Sequence, residues 1–539
     1  MQNIIGVDFI FVKYFYYTIV YMGSVVVASS IVTMIVSVII VLVFLKQQGV
    51  SGNKQHQGKT VNTTLQTISP YLSALSQMET IDSAWRDPNF TIDPRLVAVP
   101  LRVASKTYMS STVTRATTIS DPVQGKCGDC WLIAALAAVL NRAPNQEYGS
   151  NHREAVVGQL LPWSNTLFVE HVHVLRFYYN GLSTTEVVFD DIVPNEFGKW
   201  IMASSEPGTW CQLIEKGFAK AVSPIPPRVC NYSTLDKGFP ETGVYLFNRS
   251  FSVRWGRGMR PIDLTDKVVQ AFKNNHILTT TTGGNGDSEL NHFGIPELHA
   301  YNIIPFSESE LNAHVTTPLQ RIKCRNPWGE FFAPESAIKH VDGVFEIASR
   351  DFENCMEGIV ESIPPLTTPA SHKISITKDT NNAFGGYMLI TSKEGQRIMI
   401  DCVFSYRFDR FILSFFEDYH PIVKMRLYSR GSDETLTEIE GANEWYQHQS
   451  SGMYSIDATT ENAHGLVLQY NVEMGDTVPQ IVACLNEIDR ALWFRAAAVD
   501  SADPEDIQFT PMSTSRNHWL SSNMVMRPKL TPKSSNTPS

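Results

Sequence analysis

The segment Asp121-Pro-Val-Gln-Gly-Lys-Cys-Gly-Asp-Cys130 runs directly into Trp131-Leu-Ile-Ala-Ala-Leu-Ala-Ala. A polar Gly/Asp turn thus delivers a cysteine into a strong helix former, which predicts a helix starting at Cys130. The positive end of a helix and its free N–H groups favour a thiolate over a thiol, lowering the pKa and yielding a nucleophile near neutral pH. Such a sulfur needs a base beside it. Gln124, six residues earlier on the same turn, can swing its amide toward the oxygen of a tetrahedral intermediate and join the Cys130 N–H as an oxyanion hole. Cys127 and Cys130 also form a C-x-x-C, the pattern of a redox pair or half a zinc site. No second Cys or Cys/His pair follows at a matching spacing, and no βαβ pattern follows the turn. The plain structural reading is a buried cysteine at a helix start, with Trp131 and Leu132 in the core.

The chain has 539 residues, enough for about three folded units, or two plus accessory segments. Hydrophobic residues make up 43% and charged ones 18%, so most of the chain is expected to bury real cores. With 44 Lys+Arg against 54 Asp+Glu the formal charge is −10, which lacks the basic surface that a nucleic-acid partner requires. Eight cysteines in so long a chain are too sparse for a disulfide scaffold and fit a reducing compartment.

Between Lys13 and Lys46 there is no charged residue, and the run ends in VVVASSIVTMIVSVIIVLVFL. Since ~20 apolar residues cross a bilayer as a helix, Tyr21 to Leu45 is expected to be a transmembrane helix. A secretory signal has a shorter apolar region, ~7–15 residues, and a small-residue cleavage site, which is not found near Leu45. Lys46, Lys54 and Lys59 follow the run while Lys13 alone precedes it, beside Asp8. The positive-inside tendency therefore predicts a single-pass membrane protein with its large carboxyl-terminal part in the cytosol.

Residues 47–75, rich in Gly, Gln, Asn and Thr, read as a linker. From 76 to 362 a strong helix (WLIAALAAVLNRA), a second helical patch (WCQLIEKGFAKAV) and short strand-like runs (LFVEHVHVLRFYY, EVVFDDIV, RIKCRNPW) predict an α+β domain. The proline-bearing stretch Ile363 to His372 reads as a boundary. Beyond it, KISITK, YMLITS, RIMIDCVF, RFILSFF, IVKMRLYS, YSIDA, GLVLQYNV, QIVACLN and ALWFRAAAV follow one another between Gly, Asp and Asn turns. This spacing predicts an antiparallel β-sandwich over 371–500. Residues 501–539, rich in Ser, Pro and Thr, are expected to be a disordered tail.

QGKCGDCWLIAALA is similar to the active-site segment of calpains, approximately QGxxGDCWxLAA, and the Asp before the cysteine favours calpains over the CGSCW of papain-like proteases. EVVFDDIVPNEFGK (Glu186 to Lys199) resembles the calpain DDxLPxxxGK segment, and WCQLIEKGFAKAV (Trp210 to Val222) its WxxLLEKAYAK helix. LHAYNI (Leu298 to Ile303) resembles the GHAYSV strand, RNPWGE (Arg325 to Glu330) reproduces a calpain motif, and DGVFEIASRDFENC (Asp342 to Cys355) resembles DGxFWMSxxDF. The resemblance covers roughly Ser83 to Cys355, in matching order. It implies a papain-like calpain protease core followed by a β-sandwich, and a cysteine endopeptidase that hydrolyses peptide bonds in proteins through an acyl-enzyme. By the same resemblance Cys130 is the nucleophile, His299 the proton carrier, Asn326 the residue orienting its ring, and Trp328 a shield over that bond, with Gln124 at the oxyanion.

The resemblance further implies two calcium ions held by loops that align the halves of the cleft, with Asp121 a ligand of the first and Asp342 of the second. The pattern departs from the family at several positions. The glutamate expected two residues before Trp210 falls on Gly208, with Glu206 nearby, and acidic positions of the second site read Phe332 and Val344. Leu298 stands where calpains carry glycine before the histidine. No D-x-[DN]-x-[DN]-G loop with a glutamate at its twelfth position is found, so the EF-hand domain of conventional calpains is not expected. These departures define the rival reading, a catalytically inactive calpain-like scaffold or interaction protein at a membrane.

Overall fold

Trp131 to Leu140 are buried at every position, so the helix Cys130–Leu140 is enclosed on all sides, as a helix apolar all round must be. The computed structural model describes Asp87, Phe90 and residues 101–103, 121–142, 152–162, 172–178, 182, 184–190, 192–196, 199–200, 203, 210–222, 231–314, 319–329, 340–341, 343–392, 396–405, 422–431, 435–439, 456–459, 465–485, 487, 490–498, 507–512 and 524–525. The expected transmembrane helix Tyr21 to Leu45, the linker 47–75, RFILSFF, most of the tail, Glu206, Gly208, Phe332 and Asp342 lie outside the described residues. Among the described residues no helix is long and apolar enough to cross a membrane.

The enclosing wall is built from helices Pro240–Asn248 and Trp210–Ala221 and the hairpin Val172–Tyr178 with Thr184–Asp190. Gly243 allows the closest helix contact, since a Cβ there would sit 2.5 Å from that of Ala135. The indole of Trp131 is fully buried and donates to the Leu235 carbonyl at 2.9 Å, which satisfies its one polar atom. Helix Trp210–Ala221 is locked to the hairpin by a buried ion pair between Lys216 and Asp190. Lys220 reaches Asp87 at 2.5 Å.

Beside this helical half stands an antiparallel seven-stranded sheet. Its strands run in the order His340–Val341, Val344–Ala348, Arg321–Arg325, Ala300–Ile303, Ile277–Thr281, Ile359–Ile363 and Phe251–Trp255. Helix Pro261–Lys273 covers one face, with Leu264, Val268 and Phe272 packed on Tyr301, Ile322 and Phe345. Asn302 pairs with Arg325 in the central register. That register sets the start of one strand, at His299, against the end of its antiparallel neighbour, at Asn326 to Trp328.

Past the proline-bearing stretch two further sheets close on one core. Ala370–Ser375, Ala491–Ala498, Arg397–Phe404 and Ile456–Thr459 form one. Gln508–Pro511, Ala383–Thr391, Leu466–Glu473, Ile422–Arg430, Leu436–Glu438 and Met524–Val525 form the other, in which the last pair is parallel. Ile400, Phe404 and Phe494 from the first meet Ile390, Met425 and Leu468 from the second. Gln480 to Cys484 of QIVACLN, expected as a strand, lie in helix Val478–Cys484 instead. A short apolar run does not distinguish helix from strand by periodicity, and Pro479 in the first turn suits a helix. Gln508–Pro511 and Met524–Val525 fall in the stretch whose composition suggests a tail, and they are held there as edge strands.

Arg495 joins the sandwich to the half that carries the seven-stranded sheet. Its guanidinium is fully buried, donates to both oxygens of buried Asp401, and extends to the carbonyls of Arg249 at 3.2 Å and Ser250 at 3.3 Å. It also lies over the rings of Tyr245 and Phe251. Around it Phe251 and Ile363 pack on Met399 and Ala497. Arg495→Met removes the charge that compensates Asp401 and should cost ~3–5 kcal/mol in urea unfolding of the full chain. Arg495→Lys keeps a charge without the planar fork and should fall between the two.

Candidate active site

The Cys130 sulfur sits at the amino end of its helix, half-buried, beside the backbone N–H groups of Ala300 and Trp131. These donors favour a thiolate, but burial acts more strongly, and with the nearby Asp129 and Asp287 it pushes the thiol up to about 12. Burial thus acts against the lowering expected from the helix start. Cys127 and Cys130 are both free. Cys127 is buried, and its thiol donates to the Tyr232 carbonyl at 3.2 Å.

His299 immediately precedes Ala300, so the same strand end carries both the imidazole and a donor to the sulfur. Its Nε2 lies 3.0 Å from Asn326 Oδ1, which also accepts the Trp328 backbone N–H at 3.0 Å. A backbone N–H can only donate, so the shared atom is the amide oxygen and Nε2 carries the ring proton. Nδ1 therefore holds a lone pair, and it is buried with no hydrogen-bond partner. The Trp328 ring covers the imidazole with centroids 4.2 Å apart. Burial pulls His299 down to about 4, against the opposing bond from Asn326. Thr282 fixes the backbone: its hydroxyl accepts the His299 N–H at 3.0 Å and donates to the Pro296 carbonyl at 2.8 Å.

Gln124 is buried, and its Nε2 donates to the Cys127 carbonyl at 2.7 Å. An amide nitrogen carries two protons, so one such bond leaves a second donor. The Gln124 backbone N–H donates to the Pro327 carbonyl at 2.8 Å, which ties the turn before the cysteine to the turn after Asn326. Sequence and structure thus bring Gln124, Cys130, His299, Asn326 and Trp328 to one cleft.

Asp121 is held differently. Its Oδ1 accepts from Arg153 at 2.8 Å and Asn141 at 3.1 Å, and its Oδ2 lies 3.4 Å from Arg325 Nε. A calcium ion needs six to eight oxygen ligands, and here two guanidinium groups already occupy the carboxylate. The calcium role expected of Asp121 does not fit these surroundings. At the second expected site Val344 presents an apolar side chain, paired with Arg325 across the sheet.

Sequence reasoning missed Arg153, Thr282, and a pair of carboxyls beside Cys127. Asp129 and Glu215 are both fully buried, and with Cys127 their ligand atoms lie within 4.8 Å. Burial pushes Asp129 up to about 7 and Glu215 well above the carboxylate range, and their mutual repulsion adds to this for Glu215. Glu215 Oε2 accepts the Ala203 N–H at 3.0 Å, while the other Glu215 oxygen and both Asp129 oxygens are buried without a hydrogen-bond partner. Glu215 sits in the recognised helix segment, yet nothing in the sequence paired it with the residue before the cysteine.

Leu298 takes a left-handed backbone, φ 44°, pinned by its N–H bond to the Gly283 carbonyl at 2.9 Å, with 60% of its surface exposed. That conformation costs a branched residue ~1–2 kcal/mol. Leu298→Gly should therefore raise stability by up to about 1 kcal/mol after the greater entropy of an unfolded glycine is offset, while Leu298→Ala should not, as denaturant midpoints will reveal. Asp129 supplies a pH signature. Its folded pKa lies above the ordinary 3.8, so the native state keeps a proton that the unfolded chain releases. Stability from this group is full below about 4 and is lost as pH rises through about 7. Unfolding measured from pH 4 to pH 8 should show a shallower decline for Asp129→Asn than for the unaltered chain.

Residues 100–335 match the family model described as calpain family cysteine protease. The calpain-1 catalytic subunit of Rattus norvegicus is 23% identical over 261 residues, 44% of this chain and 34% of that protein. The calpain-2 catalytic subunit of Homo sapiens is 28% identical over 221 residues, 40% of this chain and 28% of that protein. The chain thus spans about a third of the length of the curated relatives it matches. A clostridial cysteine protease, Cwp84, aligns over 75% of this chain and 98% of its own at 10% identity, with a TM-score of 0.23 too low to carry an argument. The segment bearing Cys130, His299 and Asn326 is thus similar to a calpain-family cysteine protease domain, in its match to the family model and in the order of its motifs.

Proposed function

We propose that this chain is a cysteine endopeptidase that hydrolyses peptide bonds in proteins. The observation that carries the reading is the His299 ring, with Nε2 bonded to Asn326 and a bare Nδ1 on the strand end whose Ala300 N–H faces the Cys130 sulfur. In the first half-reaction the Cys130 proton passes to Nδ1 as the sulfur attacks the substrate carbonyl carbon. Burial opposes a lone thiolate and a lone imidazolium, so the two charges arise together and stabilise each other. The oxyanion accepts from the Cys130 N–H and the second Gln124 amide proton. His299 then gives its Nδ1 proton to the leaving amine, and the carbon–nitrogen bond breaks to leave a thioester. In the second half-reaction His299 takes a proton from water, whose oxygen displaces the sulfur, and the Nδ1 proton returns to the departing Cys130 sulfur as the new carboxyl end is released. Asn326 and Trp328 keep the imidazole in one tautomer and orientation throughout.

The uncharged run Tyr21 to Leu45 supports a further part of the reading, in which a single membrane span tethers the protease on the cytosolic side and its substrates are proteins near that surface. The test is covalent labelling of the full chain in detergent by a cysteine-protease-directed epoxide. Labelling should map to Cys130 and vanish in Cys130→Ala. His299→Ala should slow it by ~10²–10⁴, and Asn326→Ala should slow it less. A folded chain that takes no label would overturn the protease reading in favour of the inactive scaffold.

A further inference from the structure

Three separate contacts stitch the turn before Cys130 to the turn after Asn326, and an anion sits at their centre. Arg325 extends from the end of its strand, its side chain 5% exposed, donates to the Pro122 carbonyl at 3.0 Å, and pairs with Asp121 through Nε at 3.4 Å. The Gln124 N–H bond to the Pro327 carbonyl is the third contact. From the opposite side Arg153, on the helix His152–Leu160, donates to the other Asp121 oxygen at 2.8 Å and also contacts the Asn141 side-chain oxygen. Asn141 caps the carboxyl end of the nucleophile helix and donates to the same Asp121 oxygen at 3.1 Å. One carboxylate therefore gathers the helix that starts at Cys130, the neighbouring helix, and the strand that ends at Asn326.

We infer that Arg153 and Arg325, closed on Asp121, are positioning residues that assemble the cleft without calcium. The inference rests on the protease reading and specifies how its site is held. Two guanidinium groups supply the positive charge this carboxylate needs, one nitrogen facing each oxygen, and they bring no oxygen ligands. A divalent cation at Asp121 would have to displace both arginines, one of them buried against a carbonyl, and overcome their repulsion. The clasp fixes Gln124 and Asn326 relative to each other, and small misplacements of such groups cost rate steeply.

The test uses the full chain in detergent and two independent readouts. The first is epoxide labelling of Cys130 in excess calcium and in chelator, for the unaltered chain, Arg153→Met and Arg153→Lys. The expected result is the same rate in both media for the unaltered chain, a loss of roughly tenfold or more in Arg153→Met at unchanged folded circular dichroism, and partial recovery in Arg153→Lys. The second is sensitised terbium emission displaced by calcium, which reports cation binding whether or not the site is active, and no saturable signal is expected. Labelling that requires calcium, saturable terbium binding lost in Asp121→Asn, or an Arg153→Met chain that labels at the unaltered rate would overturn the clasp. An unlabelled chain without terbium binding would overturn the protease reading and leave Asp121 held by arginine.

Discussion

Everything the cleft can do hangs on the register that sets Ala300–Ile303 beside Arg321–Arg325. With Asn302 opposite Arg325, the continuation of the pairing puts Trp328 opposite His299, where the two rings meet. A slip of one residue would turn every side chain of the strand to the other face, parting His299 from Asn326 and Arg325 from Asp121. The alternating burial of Val344–Ala348 on one flank and the full burial of Ile277 to Thr280 on the other hold the register from both sides. Site geometry and sheet packing are one constraint here.

Burial sets the electrostatics in the same way. Buried Asp401 is paired with Arg495 and buried Asp190 with Lys216, whereas burial pushes Asp129 and Glu215 toward their protonated forms. Burial acts on the Cys130 thiol and the His299 imidazole in the same sense, each toward its neutral form.

Much of this was legible from residues alone, because local signals sufficed. The Gly/Asp turn before an apolar run fixes the start of the nucleophile helix, and alternating segments between turns mark the sandwich strands. The failures share a cause: they depend on partners distant in sequence. QIVACLN carries no period that separates helix from strand, and Gln508–Pro511 becomes a strand only because Ala383–Thr391 offers an edge. The thiol pKa depends on how tightly the strand bearing Ala300 closes over the sulfur, which a helix start does not reveal. Arg153 sits in an unremarkable polar helix 32 positions from Asp121, and nothing local distinguishes it from a solvated surface charge.

A clasp made of arginine differs in kind from one made of an ion. An ion's occupancy follows its concentration, so a cleft aligned by calcium can be opened by removing it. Arg153 and Arg325 are part of the chain and charged at every physiological pH, so a cleft aligned by them stays aligned. Under the proposed reading, control would then fall to access and placement. Leu298 is exposed, adjoins His299 in the chain, and is held in a strained backbone by its bond to Gly283. A membrane tether would limit which proteins come near the cleft. A cleft held in this way would be gated by where the chain is placed rather than by an ion's occupancy.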